Sequence, residues 1–124
     1  IGWFRKAAEL GHVVCQHTLG TAYSTGEGVA QDLAESIKWY RRAAEQGDER
    51  SQAALSAAYY NGRGVEKNLI MSYAWASVAK AFGDEKSVNM LPLLKKEMPP
   101  QQLVEANNLA EKIYTKVKAN RSVQ

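Results

Sequence analysis

One pattern of residues returns every 36 positions in this chain of 124 residues. Trp3, Trp39 and Trp75 keep step, as do Gly11, Gly47 and Gly83, and Ala7, Ala43 and Ala79. Leu19 and Leu55, Tyr23 and Tyr59, Val29 and Val65, and the pairs Gly26/Gly28 and Gly62/Gly64 share the register. Residues 1–36 laid over 37–72 give 16 identities, far too many for chance. A fixed period of about 20–50 residues marks an array whose units bury their apolar faces only against their neighbours. Such a chain builds an extended surface that holds another molecule more naturally than it builds a closed enzyme pocket.

Each unit reads as two antiparallel helices. The first runs from about His12 to Ser24 and its copy from Asp48 to Tyr60. Asp48 is a natural N-cap placed directly after Gly47, which suits the left-handed position closing the preceding helix. Leu19, Ala22 and Tyr23, and again Leu55, Ala58 and Tyr59, recur at i, i+3 and i+4, one face of a helix. The second helix starts at Asp32 or its equivalent Asn68 and runs to about Gln46 and Phe82. Trp39, Tyr40, Ala43 and Ala44 line its buried side, with Lys38, Arg41, Arg42 and Glu45 outside. Paired alanines let two helices approach while the indole fills the remaining space, which makes this stripe core. The connections Thr25-Gly-Glu-Gly-Val-Ala-Gln and Asn61-Gly-Arg-Gly-Val-Glu-Lys carry two glycines each. A phosphate cradle would follow a strand and open a helix. These glycines follow a helix and recur with the repeat, so they permit positive φ in a tight turn.

Past Gly83 the pattern decays. Asp84 can still cap, and Leu91 keeps the register of Leu19 and Leu55, but Pro92 stands where Gly20 and Ser56 stood and is expected to kink its helix. A last helix from about Pro100 to Ala119 carries Leu103, Ala106, Leu109, Ala110, Ile113 and Val117 on one face. One wet face suits the closing element of an array.

Composition adds bounds. No apolar run approaches the roughly 18–20 residues that span a bilayer, and Arg5, Lys6 and Glu9 break up any signal-peptide core in the first ten positions. The chain starts without methionine and in mid-pattern, so it reads as a fragment. The net charge of +3 sits partly in Lys112, Lys116, Lys118 and Arg121, where cations complement a helix C-terminus. A phosphate-tracking surface would need a denser Lys/Arg stripe with interleaved aromatics, so nucleic acid is not an expected partner. Cys15 is the single cysteine, and no disulfide framework exists.

The run Leu19-Gly20-x-x-Tyr23-x-x-Gly26-x-Gly28-Val29-x-x-Asp32, followed by Ala34-x-x-x-x-Trp39-Tyr40-x-x-Ala43-Ala44-x-x-Gly47, resembles the Sel-1-like (SLR) repeat, a relative of the tetratricopeptide class. The ending Met98-Pro99-Pro100-Gln101-Gln102-Leu103-x-Glu105-Ala106 resembles the closing helix of bacterial members, with Pro99 where a Ser or Thr cap usually stands. The resemblance implies an all-α fold: an α/α solenoid, a right-handed superhelix of antiparallel helix hairpins with a C-terminal capping helix. Its expected units are residues 1–11 (the second helix of an incomplete repeat), 12–47, 48–83, and a degenerate repeat with cap over 84–121, in one continuous domain. The resemblance further implies a non-catalytic adaptor with a protein or peptide partner, soluble, in the bacterial cytoplasm, in the periplasm or secreted, without cofactor, metal or membrane insertion.

In the tetratricopeptide class the first helices line a concave groove. Carried over through the shared Leu–Gly–Tyr core, the inward positions include His17 and Thr21 in one unit, Arg50, Tyr60 and Asn61 in the next, and Lys86 and Asn89 in the third. Arg50 and Lys86, 36 residues apart, would present adjacent cations beside the amides of Asn61 and Asn89, a setting for an acidic side chain or a chain-terminal carboxylate. At the other end Trp3 and Phe4 are expected to be partly bare, to be covered by further repeats or by self-association through the N-terminal helix. His12 and His17 lie about 140° apart on a helix and do not share a face, which argues against a metal site. Ser77-Val78-Ala79-Lys80 matches the S-x-x-K of penicillin-recognising enzymes, without S-D-N or K-T-G. It keeps a weak penicillin-binding or cell-wall-related hydrolase as the alternative.

Overall fold

The structure, a computed structural model, describes residues 2–122. Ile1, with which the first half-unit is expected to begin, lies outside the described residues. Seven helices and no strand occur among them. They are α1 (Gly2–Glu9), α2 (Val13–Thr25), α3 (Leu33–Glu45), α4 (Glu49–Asn61), α5 (Leu69–Ala81), α6 (Glu85–Glu97) and α7 (Pro100–Ser122).

The helices begin where the capping side chains stand. Asp32 accepts from the Glu35 amide at 3.1 Å, Asp48 from Ser51 at 3.1 Å, Asn68 from Met71 at 3.1 Å and Asp84 from Ser87 at 3.0 Å. These bonds satisfy donors that a helix start leaves without partners. His12 does the same for α2, its Nδ1 accepting from the Cys15 amide at 3.4 Å. It lies at a helix start outside the helix proper. The α2 and α4 ends turn through Gly26 and Gly62, both left-handed, whose amides return to the carbonyls of Ala22 and Ala58. Gly64 has a second reason to be glycine. Its φ is +82°, and a Cβ there would sit 2.6 Å from the Leu33 carbonyl oxygen, so the turn of one unit rests directly on the helix start of the previous one.

Packing repeats with the sequence. Trp39 is buried with Ala8, Cys15, Leu19 and Tyr23, and Trp75 with Ala44, Leu55, Ala58 and Tyr59. Ala8, Leu19 and Tyr23 recur one unit on as Ala44, Leu55 and Tyr59, and Ser51, also buried, stands where Cys15 does. Polar bonds repeat as well. Buried Gln16 donates to the Ala8 carbonyl at 2.9 Å and buried Gln52 to that of Ala44 at 3.0 Å, tying each second helix to the next first helix. Within units, Ser36 donates to the Gly20 carbonyl at 2.6 Å, and Ser56 and Ser72 exchange bonds to each other's carbonyls at 2.8 Å.

The third hairpin departs from this scheme. α6 runs as one helix, Glu85–Glu97, with Pro92 inside it. α6 and α7 meet near their joint, where Leu94, Met98, Leu103 and Ala106 cluster with Tyr73 and Ala76 of α5. Beyond it both pack on α5 rather than on each other. α7 then follows α5, with Ile113 and Tyr114 against the core and Phe82 beside Tyr114. It reaches the end of α3, where Asn120 donates to the Glu45 carbonyl at 3.0 Å and Lys116 pairs with Glu45 at 3.8 Å. The closing helix therefore spans two units.

Candidate functional site

The first helices α2, α4 and α6 carry every residue assigned to the groove, and direct side-chain bonds link neighbouring ones. His17 of α2 meets two groups at the start of α4: Ser51 Oγ lies 3.0 Å and Asp48 Oδ2 3.3 Å from its Nδ1. The imidazole also stands edge-on to Tyr40, with ring centres 5.6 Å apart. The Tyr40 hydroxyl in turn bonds Thr21 at 2.9 Å. At the far end of α4, the Tyr60 hydroxyl donates to Glu97 of α6 at 3.4 Å.

Asp48 is the electrostatic centre of this face. Burial alone would raise its carboxyl. Hydrogen bonds from His17 and Ser51 and the fields of His17 and Arg50 more than offset that, holding it at about 2 against an ordinary 3.8. The Tyr60 phenol moves the other way, raised by the charge of Glu97 and by the hydrogen bond to it.

The structure thus joins His17, Thr21 and Arg50 through Asp48 and Tyr40. Arg50 is turned to Asp48, Nε to Oδ1 at 3.5 Å, so its charge is partly answered within the protein. Lys86, at the same register, is exposed with no ion pair among the described residues, and Asn89 is exposed beside it on α6. Asn61 spends a side-chain donor on the Ala57 carbonyl at 3.0 Å. Between α1 and α2 a cavity of about 370 Å³ is lined by Phe4, His17, Thr21 and Thr25 among others. Trp3 is 74% exposed and touches Phe4 edge-on.

Two features escaped the sequence. Glu97 and Tyr40 complete the polar contacts of the face although neither belongs to a first-helix inward position. Gln16 and Gln52 repeat at 36 residues inside helices, a signal of buried amide bridges that periodicity alone exposes. His12, Cys15 and His17 are accounted for by capping, burial and the Asp48 contact. Ser77 and Lys80 lie on an unremarkable stretch of α5 but line one cavity of about 480 Å³ with Tyr73, Leu91, Pro92 and Lys95.

Compared with protein families, the Sel1 repeat model matches residues 1–12, 13–48 and 50–81. The chain belongs to the Sel1 repeat family. Solved structures agree. The antigen c5321, described as protective, as present in uropathogenic Escherichia coli strains and as displaying an SLR fold, superposes with a TM-score of 0.90 at 32% identity. That match covers 98% of this chain and 26% of the antigen, so the chain spans about a quarter of that relative's length. A Sel1 repeat protein from Oxalobacter formigenes gives a TM-score of 0.71 at 39% identity, covering 73% of this chain and 68% of the other. No curated protein matches. The Sel1 units form an all-α solenoid, a fold that serves in general as a non-catalytic scaffold for protein–protein interaction. No described helix is long and apolar enough to cross a membrane.

Proposed function

We propose that this Sel1 array is an adaptor that holds an extended peptide segment of a protein partner along the face of α2, α4 and α6. The observation that carries this reading is the continuity of that face. His17–Asp48/Ser51 and Tyr60–Glu97 tie three successive first helices side to side. Thr21, Arg50, Asn61, Lys86 and Asn89 remain exposed along it. A repeated row of polar side chains on a rigid support can follow a peptide backbone unit by unit. With Arg50 drawn toward Asp48, Lys86 supplies the less compensated charge for an acidic side chain or a terminal carboxylate.

Peptides selected from a displayed random library against this domain should converge on an acidic residue. Reversing both charges, Arg50→Glu with Lys86→Glu, should weaken the selected peptide by about tenfold or more, since charge-assisted bonds are worth roughly 1.5–3 kcal/mol. Unchanged affinity in that double variant removes the reading.

The hydrolase reading draws on Ser77 and Lys80 sharing a cavity. A nucleophilic serine needs a base within hydrogen-bond reach, and no such bond joins the two side chains. That reading would require covalent labelling of Ser77 by a reporter penicillin.

A further inference from the structure

The cavity of about 480 Å³ between α5 and α6 lies where the repeat pattern is broken, and the repeat supplies its own control. One unit earlier, the positions of its lining residues hold Ile37, Arg41, Ala44, Leu55, Ser56 and Tyr59. There the space between second helix and next first helix is closed by the Arg41 guanidinium, which donates to the Tyr59 hydroxyl. Arg5 and Tyr23 make the same bond in the unit before. In the third unit this pair is replaced by Ser77 and Lys95. Ala44 becomes Lys80, Ile37 becomes Tyr73 and Ser56 becomes Pro92, while Leu91 keeps the core leucine. Five of six positions change, and together they remove a filling pair and bring two lysines and two hydroxyls to one hollow.

Tyr73 brings a hydroxyl to the hollow. Its side chain is 95% buried, counted from its 5% exposure, and it lines the cavity. The other two buried tyrosines, Tyr23 and Tyr59, have an arginine on the hydroxyl. Tyr73 has no hydrogen-bond partner among the described residues. A ligand oxygen in the cavity would give that hydroxyl a partner. Ser77 also lines the neighbouring hollow between α5 and α7, so it lies on the floor where α6 and α7 diverge.

We propose that this cleft binds a small organic anion, a carboxylate carried on an apolar body. Lys80 and Lys95 supply the charge, Ser77 and Tyr73 the hydroxyl donors, and Leu91 with the Pro92 ring the apolar floor. Lysines bind inorganic phosphate as well, but Leu91 and the Pro92 ring give an organic body apolar contact that a bare phosphate cannot use. The volume lies within the range of small-molecule sites, roughly 300–1,000 Å³. The cleft is distinct from the peptide face. Lys86 and Lys95 are nine positions apart, about half a turn around α6. The carboxylate comes either from a free small acid or from the last residue of a peptide, which share the same chemistry.

The test titrates the whole chain with benzoate, with benzamide as its neutral isostere, and with a leucine-ended peptide in free-acid and amidated forms, followed by amide chemical shifts. Saturable shifts at Ser77, Lys80 and Lys95 with one of the acids are expected, with the neutral partner about tenfold weaker or more. Saturation by benzoate assigns the free acid as the source, and saturation by the peptide acid alone assigns the chain terminus. The exposed pair Lys80→Gln with Lys95→Gln should weaken binding about tenfold while leaving the thermal midpoint in place. Restoring the repeat with Ser77→Arg and Lys95→Tyr should fill the cavity and abolish binding. Equal affinity for acid and amide, unchanged affinity in the double glutamine variant, or no saturable shift with either acid overturns the proposal.

Discussion

Asp48 shows how a single side chain serves the fold and the face at once. It caps α4 through the Ser51 amide, accepts the Ser51 hydroxyl at 2.6 Å, and meets His17 from the preceding first helix. Asp84 repeats the capping bonds, with its serine hydroxyl at 2.7 Å, but the position of His17 one unit on is Ala53. The two caps therefore differ by an imidazole. Because the folded carboxyl of Asp48 is depressed from 3.8 to about 2, its contribution is present in full above pH 4 and is lost as pH falls toward 2. The side chain is only 8% exposed, and the contribution is on the order of 1–2 kcal/mol. Replacing His17 with alanine should remove part of that amount at pH 5, because Ser51 and Arg50 continue to hold the carboxyl down. The gap from the parent should narrow as pH falls to 2, as read by urea unfolding at a series of pH values. A gap independent of pH would mean that His17 acts by packing alone. The cap was legible from Gly47-Asp48. The partner was not, because the 17–48 contact depends on how two first helices are set side by side.

At the scale of elements, how closely a first and a second helix approach is set by one exchanged pair of residues. Gly20 lies under Tyr40, and a Cβ at position 20 would fall 2.8 Å from the ring. In the next unit the same two positions hold Ser56 and Ala76. Volume has moved from the second helix to the first while the hairpin is kept. Gly20→Ser should therefore destabilise by about 1–3 kcal/mol through overpacking, and adding Tyr40→Ala should recover part of that loss. A double-mutant cycle by chemical denaturation measures the coupling, and strict additivity would show that the ring yields without cost. The hairpins themselves were readable because capping residues, glycine turns and an i, i+3, i+4 stripe agree in both units. The placement of α7 was not. Its apolar stripe is plain, but the choice between α6 and α5 as a partner depends on what α5 offers. There Trp75, Val78 and Phe82 present a continuing core, whereas Pro92 replaces the Gly20 or Ser56 that allows close approach. The cavity escaped for a related reason. Pro92 was visible as a departure, but the loss of the Arg–Tyr pair becomes meaningful only once Arg41 and Tyr59 are seen to close the equivalent space.

For the whole molecule, the energy of a residue follows its place in the array more than its identity or its register. Trp3, Trp39 and Trp75 are the same residue at the same position of successive units, yet they are 74%, 1% and 4% exposed. Trp39 and Trp75 each rest on the first helix of their own unit and on the second helix of the unit before, whereas none of the described elements covers Trp3. Alanine at 39 or 75 leaves a large cavity in a layer shared by two units and should cost about 3–5 kcal/mol. That is a large part of the roughly 5–15 kcal/mol that holds a domain together. Alanine at 3 should change stability by less than about 0.5 kcal/mol. Phenylalanine at 39 or 75 leaves a smaller cavity than alanine, so the ordering stays measurable even where an alanine variant fails to fold. Urea unfolding of the set gives the three values. Equal costs at all three positions would mean that each hairpin is held by its own contacts. Units joined only through shared layers require Trp39 and Trp75 to dominate, because removing either indole weakens two units at once.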